Sequence, residues 1–397
     1  MEIQRIDAFR KAIPLLKRLN QAGFEAYFVG GCVRNYLLGV DINDIDITTD
    51  ATPEQVEKLF HQVIPVGVEH GTVIVRFHDQ SYEVTTYRKK DANTNEFHFS
   101  DRIDEDLLYR DFTMNALAMD IHGRIIDYVE GKKAIKNRLI EAVNDAESRF
   151  REDPLRMLRA IRFVAQFNFS IERRTLQAIN NLRHLIEGVA IERIKDETDT
   201  LIKGPYFKKA LYYLHHTKLI YSLPLFKEHK QFIEILEKET SHFESFSHMV
   251  ALLYYYDRTI TPSRWIKEWN GSNKEKKDAQ LLTEALFAYE KDGMTPWIAY
   301  RLPEALHKPF VKIIDTMDEG SLSIEQLRYF TKNLTIRSRD ELKVNGYLLM
   351  KWFPNRKRGK WLKEMLDAIE YAVVMNQLVN EEEKIKEWIT CHPLATD

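Results

Sequence analysis

Apolar and polar positions alternate along the first third of the chain in a pattern that predicts strands mixed with helices. Apolar residues recur at helical spacing among charged ones up to Leu19, which predicts an amphipathic helix. Strands are predicted at AYFVG, DIDITT, GTVIVRF and YEVTTYR, with a helix at TPEQVEKLF between the second and third of them. Residues up to about 130 are therefore expected to form one small α/β domain with a mixed sheet.

The pattern changes after Gly131, where apolar residues recur at intervals of three and four, as in 155–167 and 176–202. That spacing is typical of helices, so the remaining two thirds are predicted to be almost wholly helical. Breaks between helices are predicted at 203–205, 270–273 and 293–296, where Gly, Pro, Ser and Asn gather. The expected fold class is α+β.

One polar stretch stands apart from both patterns. Residues 89–101, KKDANTNEFHFSD, lack periodicity and connect the last predicted strand of the α/β domain to the next part of the chain. Loops of this length are usually functional or mobile. We therefore predict a functional loop here.

Composition limits the function. The chain has 397 residues, of which 44% are hydrophobic, and its 58 basic and 60 acidic side chains give a net charge of −2. This balance excludes a uniformly basic nucleic-acid binder, so any phosphate-binding surface must be a local patch. Cys32 and Cys391 lack the spacing of a zinc site, which favours a reduced, cytoplasmic protein. The longest apolar run, 249–256, is far shorter than the roughly 20 residues that cross a bilayer, so no membrane role is expected.

Two carboxylates stand close together in the segment DIDI. If this segment is a strand, Ile45 and Ile47 face the core while Asp44 and Asp46 project together from the other face. Paired hard oxygen ligands suit Mg²⁺, which also relieves their mutual repulsion. The alternative is a solvated strand end, which is the commoner explanation of an isolated pair of this kind.

A Gly-Gly turn precedes these acids by about a dozen residues. In FVGGCVRNYLLG a strand ends at Gly30 and Gly31, and a short helix follows that Gly39 would close. Such a turn lets a phosphate approach the N–H groups of a helix N-terminus, with Arg34 adding charge. The alternatives are a tight turn that needs positive φ and a solvated arginine. Neither GxGxxG nor GxxxxGK[ST] is present.

The combined stretch resembles the GGxVRD…DxD motif of the nucleotidyltransferases that build tRNA 3′ ends, the class II CCA-adding enzymes of the polymerase β superfamily. The resemblance continues in order through GTVIV, EVTTYR, RDFTMNA, DYVEGKKAI, EDPLRMLRAIRF and IERIKDE, and covers roughly residues 20 to 200. A weaker resemblance near LKVNGYLLM and GKWLKEML reaches the C-terminal part. Two positions depart from the family pattern: Asn35 stands where the family has Asp, and Tyr109 where it has Arg.

The resemblance also implies which residues bind the nucleotide. The helix that begins near Asp153, the expected N-cap before Pro154, would be a protein template that reads the incoming base through Asp153 and Arg156. An acceptor and a donor at these positions match cytosine and adenine but not uracil or guanine. Further members of the set, for phosphates, ribose or support of the reading pair, are Gly31, Arg34, Arg110, Asp111, Arg159 and Arg162. The alternatives are a solvated basic helix face and a local Arg110–Asp111 ion pair.

The implied function is sequential addition of C, C and A to the 3′ end of tRNA from CTP and ATP, with release of pyrophosphate. Two Mg²⁺ ions on Asp44 and Asp46 would serve the reaction, and Glu83 is a candidate for a third carboxylate. The implied domains are a catalytic head (1–140) and an elongated helical part, which consists of a neck with the base-reading helix (141–204) and of a body (205–290) and tail (291–397) that bind the tRNA acceptor arm. A basic patch at 355–360 is a candidate RNA contact, and no protein partner is evident.

Three other functions stay open at this point. A poly(A) polymerase shares the Gly-Gly, DxD and Arg-Asp features, and an enzyme that adds only CC or only A shares all the motifs. A non-catalytic RNA-binding protein on the same fold is the alternative from a different class. That alternative predicts loss of the paired acids, yet Asp44 and Asp46 are both present.

Overall fold

The computed structural model describes residues 3–67, 71–90, 97–238, 242–317 and 322–391. The chain divides into two compact units, Met1–Leu223 and Pro224–Asp397. The strands of the first unit are β1 Ala26–Val29, β2 Asp46–Thr49, β3 Val63–Gly67, β4 Thr72–Phe77, β5 Gln80–Thr86, β6 Arg88–Lys90, β7 Phe97–Phe99, β8 Leu117–Met119, β9 Ile125–Asp127, β10 Leu139–Ile140 and β11 Ser170–Ile171. Its helices are α1 Asp7–Gln21, α2 Gly31–Leu38, α3 Pro53–Leu59, α4 Ile103–Leu108, α5 Gly131–Lys136, α6 Ala146–Glu152, α7 Leu155–Phe167, α8 Arg173–Leu182, α9 Ile191–Ile202 and α10 Phe207–His216.

The main sheet of the first unit is mixed, as predicted. Its strand order within the described residues is β3-β4-β5-β2-β1-β8-β9. Strands β2 and β5 pair in parallel, and every other neighbouring pair is antiparallel. Phe28, Ile47 and Val84 on three adjacent strands are almost fully buried. Strands β1 and β2 therefore lie in the centre of the sheet and in the buried core. They carry the Gly-Gly turn and the paired acids.

One predicted strand boundary is wrong. Strand β2 begins at Asp46, so Asp44 lies in the loop before it. The sheet ladder explains this, because Asp46 is the first residue of the segment with a partner on β5, and pairing with β1 begins only at Ile47. The predicted alternation nevertheless holds, since Ile45 and Ile47 are buried while Asp44 is exposed.

The helical periodicity after residue 131 predicted helices correctly but not their continuity. Helix α7 has the bounds that the pattern gave, 155–167. The stretch 176–202 is instead divided into α8, a 3₁₀ segment Arg183–Gly188 and α9. Gly188 lies at the end of the 3₁₀ segment, where a residue without Cβ favours a break. The breaks predicted at 203–205, 270–273 and 293–296 all separate helices in the structure.

The polar stretch 89–101 is more ordered at its ends than its composition predicts. Strands β6 and β7 form an antiparallel pair, with Arg88 opposite Phe99. Residues 91–96 lie outside the described residues. The prediction that 89–101 is an irregular loop is therefore wrong for its two ends.

The second unit is helical in its described parts. Its helices are α11 Gln231–Lys238, α12 Phe246–Tyr256, α13 Pro262–Glu268, α14 Asn273–Asp292, α15 Pro296–Arg301, α16 His307–Thr316, α17 Ile324–Lys332, α18 Gly346–Trp352, α19 Lys360–Val374 and α20 Glu382–Cys391. Trp265 and Trp269 are fully buried and pack against Phe226 with centroid separations of 5.4 and 6.5 Å. No helix within the described ranges is long and apolar enough to cross a membrane.

Candidate active site

The Gly-Gly turn joins β1 to α2 and depends on its first glycine. Gly30 has φ of 69° and ψ of −123°, a conformation that residues with a Cβ rarely adopt. A Cβ at Gly30 would also lie 2.9 Å from Nη1 of Arg110. Gly31 is the first residue of α2 and has no positive φ, and a Cβ there would meet Arg34 Nη2 at an ordinary 3.7 Å. The alternative explanation, a turn that needs positive φ, therefore holds for Gly30 but not for Gly31.

This difference predicts opposite outcomes for two neighbouring substitutions. Gly30→Ala should destabilise the first unit by about 1 to 3 kcal/mol, because its backbone conformation becomes strained. It should also raise the KM for nucleotide, since the new methyl group displaces the guanidinium of Arg110. Gly31→Ala should change the unfolding free energy by less than about 1 kcal/mol, because Ala favours the helix. Equal destabilisation by both variants in urea titrations would contradict this reading of the turn.

Arg34 is buried, so the alternative explanation of a solvated arginine is wrong. Its side chain donates to Asn115 Oδ1 at 2.5 Å and to Asn35 Oδ1 at 2.9 Å, and its guanidinium lies 4.6 Å from the ring centroid of Phe167. Burial lowers the pKa of Arg34 to about 10, although the charge of Asp111 opposes the shift. The direct partners recorded for Arg34 in the described part of the chain are neutral, which leaves its charge available to an anion.

Asn35, the first departure from the family pattern, has a defined place in this arrangement. Its Oδ1 accepts from Arg34, and its Nδ2 donates to the carbonyl oxygen of Asp41 at 3.0 Å. The amide therefore connects α2 to the loop before β2. An uncharged side chain holds Arg34 here without neutralising it.

Asp111 is buried and pairs with a distant arginine, not with its neighbour. Arg159 donates to Asp111 Oδ2 from Nε and Nη2 at 3.0 and 2.8 Å. Arg110 instead pairs with the buried Asp106 at 3.2 Å. The predicted alternative of a local Arg110–Asp111 ion pair is therefore wrong.

The charge of Asp111 is strongly stabilised. Burial alone would raise its pKa, but Arg159 together with hydrogen bonds from Asn115 and the Phe112 N–H outweighs burial and lowers the pKa to about 2. Asn115 thereby touches both Asp111 and Arg34. The head and α7 are linked through this one buried network.

Glu197 on α9 is a residue of this network that the sequence reasoning missed. It accepts from Arg159 at 3.0 Å and pairs with Arg162 at 2.7 Å. Its side chain is largely buried. The only sequence signal was its place in the matched segment IERIKDE, because nothing in its spacing points to the arginines of α7.

These side chains surround a cavity of about 920 Å³. The ring of Phe163 lies under three guanidinium groups, those of Arg34, Arg159 and Arg162, at 5.1, 5.8 and 4.3 Å. The predicted site residues that line the cavity are Gly31, Arg34, Asp46, Arg110, Asp111, Arg159 and Arg162. Tertiary structure thus brings seven of the ten predicted positions to one basic cavity of a size that suits a nucleotide.

The carboxylates meet in an adjoining cavity of about 660 Å³, which Asp44, Asp46 and Glu83 line. Asp46 and Glu83 are direct partners in the parallel β2–β5 pair. Burial raises the pKa of Asp46, helped by the charge of Asp44 and opposed by Arg110, and burial followed by the charge of Asp46 raises the pKa of Glu83. Asp46 lines both cavities, so it stands where the carboxylates meet the arginines.

This set of acids fits a divalent cation that is shared with a substrate. The described residues contain no preassembled group of three or more His, Cys, Asp or Glu side chains that could hold a metal alone. Mg²⁺ usually takes one or two carboxylates together with waters and substrate phosphates. Asp44 and Asp46 beside a basic, nucleotide-sized cavity match that incomplete donor set, and a bound cation would lower the raised pKa of Asp46.

The two predicted base-reading residues are near this site but outside the lining of the large cavity. Asp153 accepts from the N–H of Leu155 at 3.3 Å and pairs with Arg193 at 2.9 Å. The predicted N-cap is wrong by one residue, because α7 begins at Leu155 and Pro154, not Asp153, stands at its N-cap. Arg156 donates to Glu152 at 3.2 Å and to the carbonyl oxygen of Tyr109 at 3.3 Å.

Tyr109, the second departure from the family pattern, also has a defined contact. The ring of Tyr109 lies under the guanidinium of Arg149 at 5.1 Å, so an aromatic contact stands where the family has an arginine.

Cys32 is buried in α2, and burial raises the pKa of its thiol to about 12. Cys32 is therefore a structural residue and not a nucleophile.

Comparison with known families finds matches to three parts of the chain. Residues 26–141 match the family model of the Poly A polymerase head domain. Residues 168–231 match a probable RNA and SrmB-binding site of polymerase A, and residues 241–389 match a putative domain 2 of tRNA nucleotidyltransferase.

Relatives match almost the whole chain. A CCA-adding enzyme of Oceanobacillus iheyensis is 43% identical over 392 residues, covering 97% of this chain and 98% of the relative. The chain belongs to the family of CCA-adding enzymes. A second CCA-adding enzyme, from Bacillus cereus, is 39% identical over 97% of the chain and 98% of its own length. The predicted enzyme class, a nucleotidyltransferase, is thereby confirmed, and nucleotidyltransferases of this kind generally use a divalent metal.

Solved structures of CCA-adding enzymes confirm the predicted α+β fold. The Bacillus stearothermophilus CCA-adding enzyme in complex with CTP is 34% identical, with a TM-score of 0.89 and coverage of 97% of both chains. A CCA-adding enzyme in complex with ATP has a TM-score of 0.68 at 20% identity, over 98% of this chain and 95% of the other, and shares the fold.

Proposed function

We propose that this CCA-adding enzyme adds C, C and A in sequence to the 3′ end of tRNA from CTP and ATP, in tRNA maturation and repair. The observation that carries the proposal is the shared position of Asp46. This carboxylate borders both the acidic cavity and the basic cavity, so a triphosphate in one lies next to the acids in the other. That arrangement suits attack on the phosphorus nearest the sugar, with pyrophosphate leaving on the basic side.

The basic cavity would hold the nucleotide through fixed donors. The N–H groups at the start of α2, including that of Gly31, and the guanidinium of Arg34 would bind the triphosphate. Arg110 lies beside Gly30 and adds a second cation there. Asp111 lines the same cavity, with Oδ2 accepting from Arg159 and Oδ1 accepting from the Phe112 N–H and Asn115, so a ribose hydroxyl would share one of these oxygens as its acceptor. Arg159 and Arg162, held by Glu197, would keep this wall rigid and positive.

Asp44 and Asp46 are the residues that would hold Mg²⁺, with Glu83 beside them as a third acid. Bound Mg²⁺ would polarise the phosphate and lower the pKa of the primer 3′-hydroxyl. The protein contributes position: β2 fixes Asp46 through its pairing with β5, and Arg110 offsets its charge. No side chain needs to form a covalent bond with the substrate.

Base choice is assigned to Asp153 and Arg156. An Asp acceptor and an Arg donor complement the amino group and ring nitrogen of cytosine and of adenine, whereas uracil and guanine present the opposite pattern. In this structure Asp153 is held by Arg193 and Arg156 by Glu152. A correct base would therefore have to compete with these ion pairs, which sharpens discrimination against a base that offers only one matching group.

Asp153→Ala tests this assignment. The kcat/KM values for CTP and ATP should fall about 10- to 100-fold, because an unsatisfied hydrogen-bonding group costs about 1 to 3 kcal/mol. Addition of UMP or GMP should rise relative to CMP in single-nucleotide assays. Arg193→Ala is the matched control, since it removes the partner of Asp153 and leaves the carboxylate. Unchanged selectivity in Asp153→Ala would remove Asp153 from base choice.

The helical regions after the head are proposed to hold the tRNA acceptor arm, and the division into 1–140, 141–204, 205–290 and 291–397 stays a prediction. The basic patch 355–360 is a candidate contact in the tail. There Arg356 lies 5.5 Å from the ring centroid of Trp361, an aromatic contact that leaves its charge unneutralised. The cytoplasmic location stays a prediction as well.

One experiment tests the function. The protein is incubated with tRNA that lacks its 3′ end, Mg²⁺ and each nucleotide triphosphate alone or in pairs, and product lengths are read at single-nucleotide resolution. CTP alone should give two additions, CTP with ATP three, and EDTA none. A long A tract with ATP alone would instead indicate a poly(A) polymerase, and arrest after CC with both nucleotides would indicate partial addition.

A further inference from the structure

Helix α10 presents an aromatic surface that the site described above does not use. Four of its residues are buried inside the first unit: Phe207, Ala210, Leu211 and Leu214. On the other face Lys208, Tyr212 and His216 recur at intervals of four and are exposed. Tyr212 is 61% exposed, which is unusual for a large aromatic side chain.

The rings on this face are already arranged in parallel. Tyr212 and His216 have a centroid separation of 5.5 Å and an interplanar angle of 11°. Their neighbours on α10 are used differently, since Lys209 donates to Asn168 and the Tyr213 hydroxyl accepts from the Ile171 N–H. Apart from an edge contact between the rings of Tyr212 and Tyr213, whose centroids lie 5.6 Å apart, the stripe Lys208–Tyr212–His216 is distinct from the side chains that fix α10 in place.

The stripe begins next to the basic cavity. Lys203, Gly204 and Pro205 line that cavity, and α10 starts two residues later. The turn is held tightly, because the Tyr206 N–H donates to Ala165 O at 2.9 Å and a Cβ at Gly204 would lie only 2.6 Å from Ala165. Tyr206 itself is 43% exposed, so aromatic surface continues from the cavity rim onto the helix.

We infer that the stripe Lys208–Tyr212–His216 binds the unpaired 3′-terminal nucleotides of the RNA primer by base stacking, with Lys208 contacting a phosphate. This inference rests on the proposed function, since it needs an RNA whose 3′ end reaches Asp46 at the border of the basic cavity. Exposed aromatic rings beside a cation are the arrangement that binds single-stranded nucleic acid without regard to sequence. Paired bases are not available for such stacking, so a duplex would not use this surface.

Binding measurements with two RNA ligands test the inference. One ligand is an acceptor-stem hairpin with an unpaired 3′ overhang, and the other is the same hairpin with a blunt end. The wild-type protein should bind the overhang ligand more tightly, and Tyr212→Ala should lose about tenfold in affinity for that ligand only. The KM for the primer should rise by a similar factor, while the KM for CTP should not change.

Further variants separate stacking from a general structural effect. Tyr212→Trp should keep the affinity for the overhang, because stacking needs a ring and not a hydroxyl group. Lys208→Ala should reduce the slope of log affinity against log salt by about one. Tyr128→Ala is the matched control, since Tyr128 lies in the same unit and is 56% exposed. That control should leave both ligands unaffected.

Two results would overturn the inference: an equal loss for both ligands in Tyr212→Ala, or no loss for either. Failure of the proposed function would look different. In that case the wild-type protein would add no nucleotides to tRNA, whereas a Tyr212-dependent preference for the overhang would still support the stacking surface.

Discussion

Asp46→Asn should reduce nucleotide addition on the order of 1000-fold or more while tRNA binding stays within about twofold. Asparagine keeps the size of the side chain but removes the charge that a divalent cation requires. Asp46 is the carboxylate that borders both cavities, and it pairs with Glu83 across the sheet. Single-turnover addition of CMP, with filter binding of tRNA in parallel, measures both quantities.

Glu57→Gln is the matched control for this variant. Glu57 lies on α3 of the same unit, is exposed, and is not among the residues that line the two cavities. Its charge can therefore be removed without touching the site, and addition should stay within about twofold of wild type. Asp44→Asn should behave like Asp46→Asn. Addition by Asp46→Asn at more than about a tenth of the wild-type rate would exclude Asp46 as a metal ligand.

Asp111→Asn should destabilise the first unit by about 3 kcal/mol, because it breaks a buried ion pair and leaves two arginines to share one acid. In the wild-type chain Asp111 and Glu197 together face Arg159 and Arg162. The variant keeps the shape of the side chain but not its charge. Nucleotide binding should weaken as well, since Asp111 lines the basic cavity.

The probe for this measurement is chosen from the distribution of Trp and Cys. All six tryptophans lie at position 265 or later, so their fluorescence reports on the second unit. Cys32 is buried in the first unit, and Cys391 is exposed. In a Cys391→Ser background, the reaction of the Cys32 thiol during a urea titration therefore reports opening of the first unit.

The same carboxylate predicts a pH dependence. Because the pKa of Asp111 is lowered from 3.8 to about 2, its charge stabilises the fold fully above pH 4, and that stabilisation is lost as the pH falls toward 2. The loss amounts to about 2 kcal/mol and should be absent in Asp111→Asn. Asp104→Asn, which removes a surface pair with Arg102, should change stability by less than about 1 kcal/mol. Equal acid sensitivity of wild type and Asp111→Asn would contradict the assignment.

The sequence predicted those features that depend on residues within a single strand, turn or helix. The turn at Gly30, the helix end at Gly39 and the paired acids were all predicted from the sequence, because turns and strand alternation depend on near neighbours. The start of β2 was predicted wrongly, because pairing with β5, and not the apolar pattern, decides where that strand begins.

The partners of the arginines on α7 could not be predicted from the sequence. Its three-residue spacing was visible, but each member turns by about 60° relative to the last, so the three face different surroundings. Which acid each one meets depends on other elements: Arg159 reaches Asp111, 48 residues away, and Glu197, 38 residues away. Contacts at such separations leave no local pattern in one sequence.

The sequence by itself determined the α+β class, the family resemblance and ten candidate site residues, because motif spacing and periodicity are local properties. Only the tertiary structure decided that seven of these residues line one cavity, and that Asp46 also borders the carboxylates. It also decided that Arg34 is buried against Asn115, 81 residues away, and that Arg110 and Asp111 pair with different partners. The physical reason is the same throughout: charge pairing and burial are set by side chains that packing brings together from distant parts of the chain.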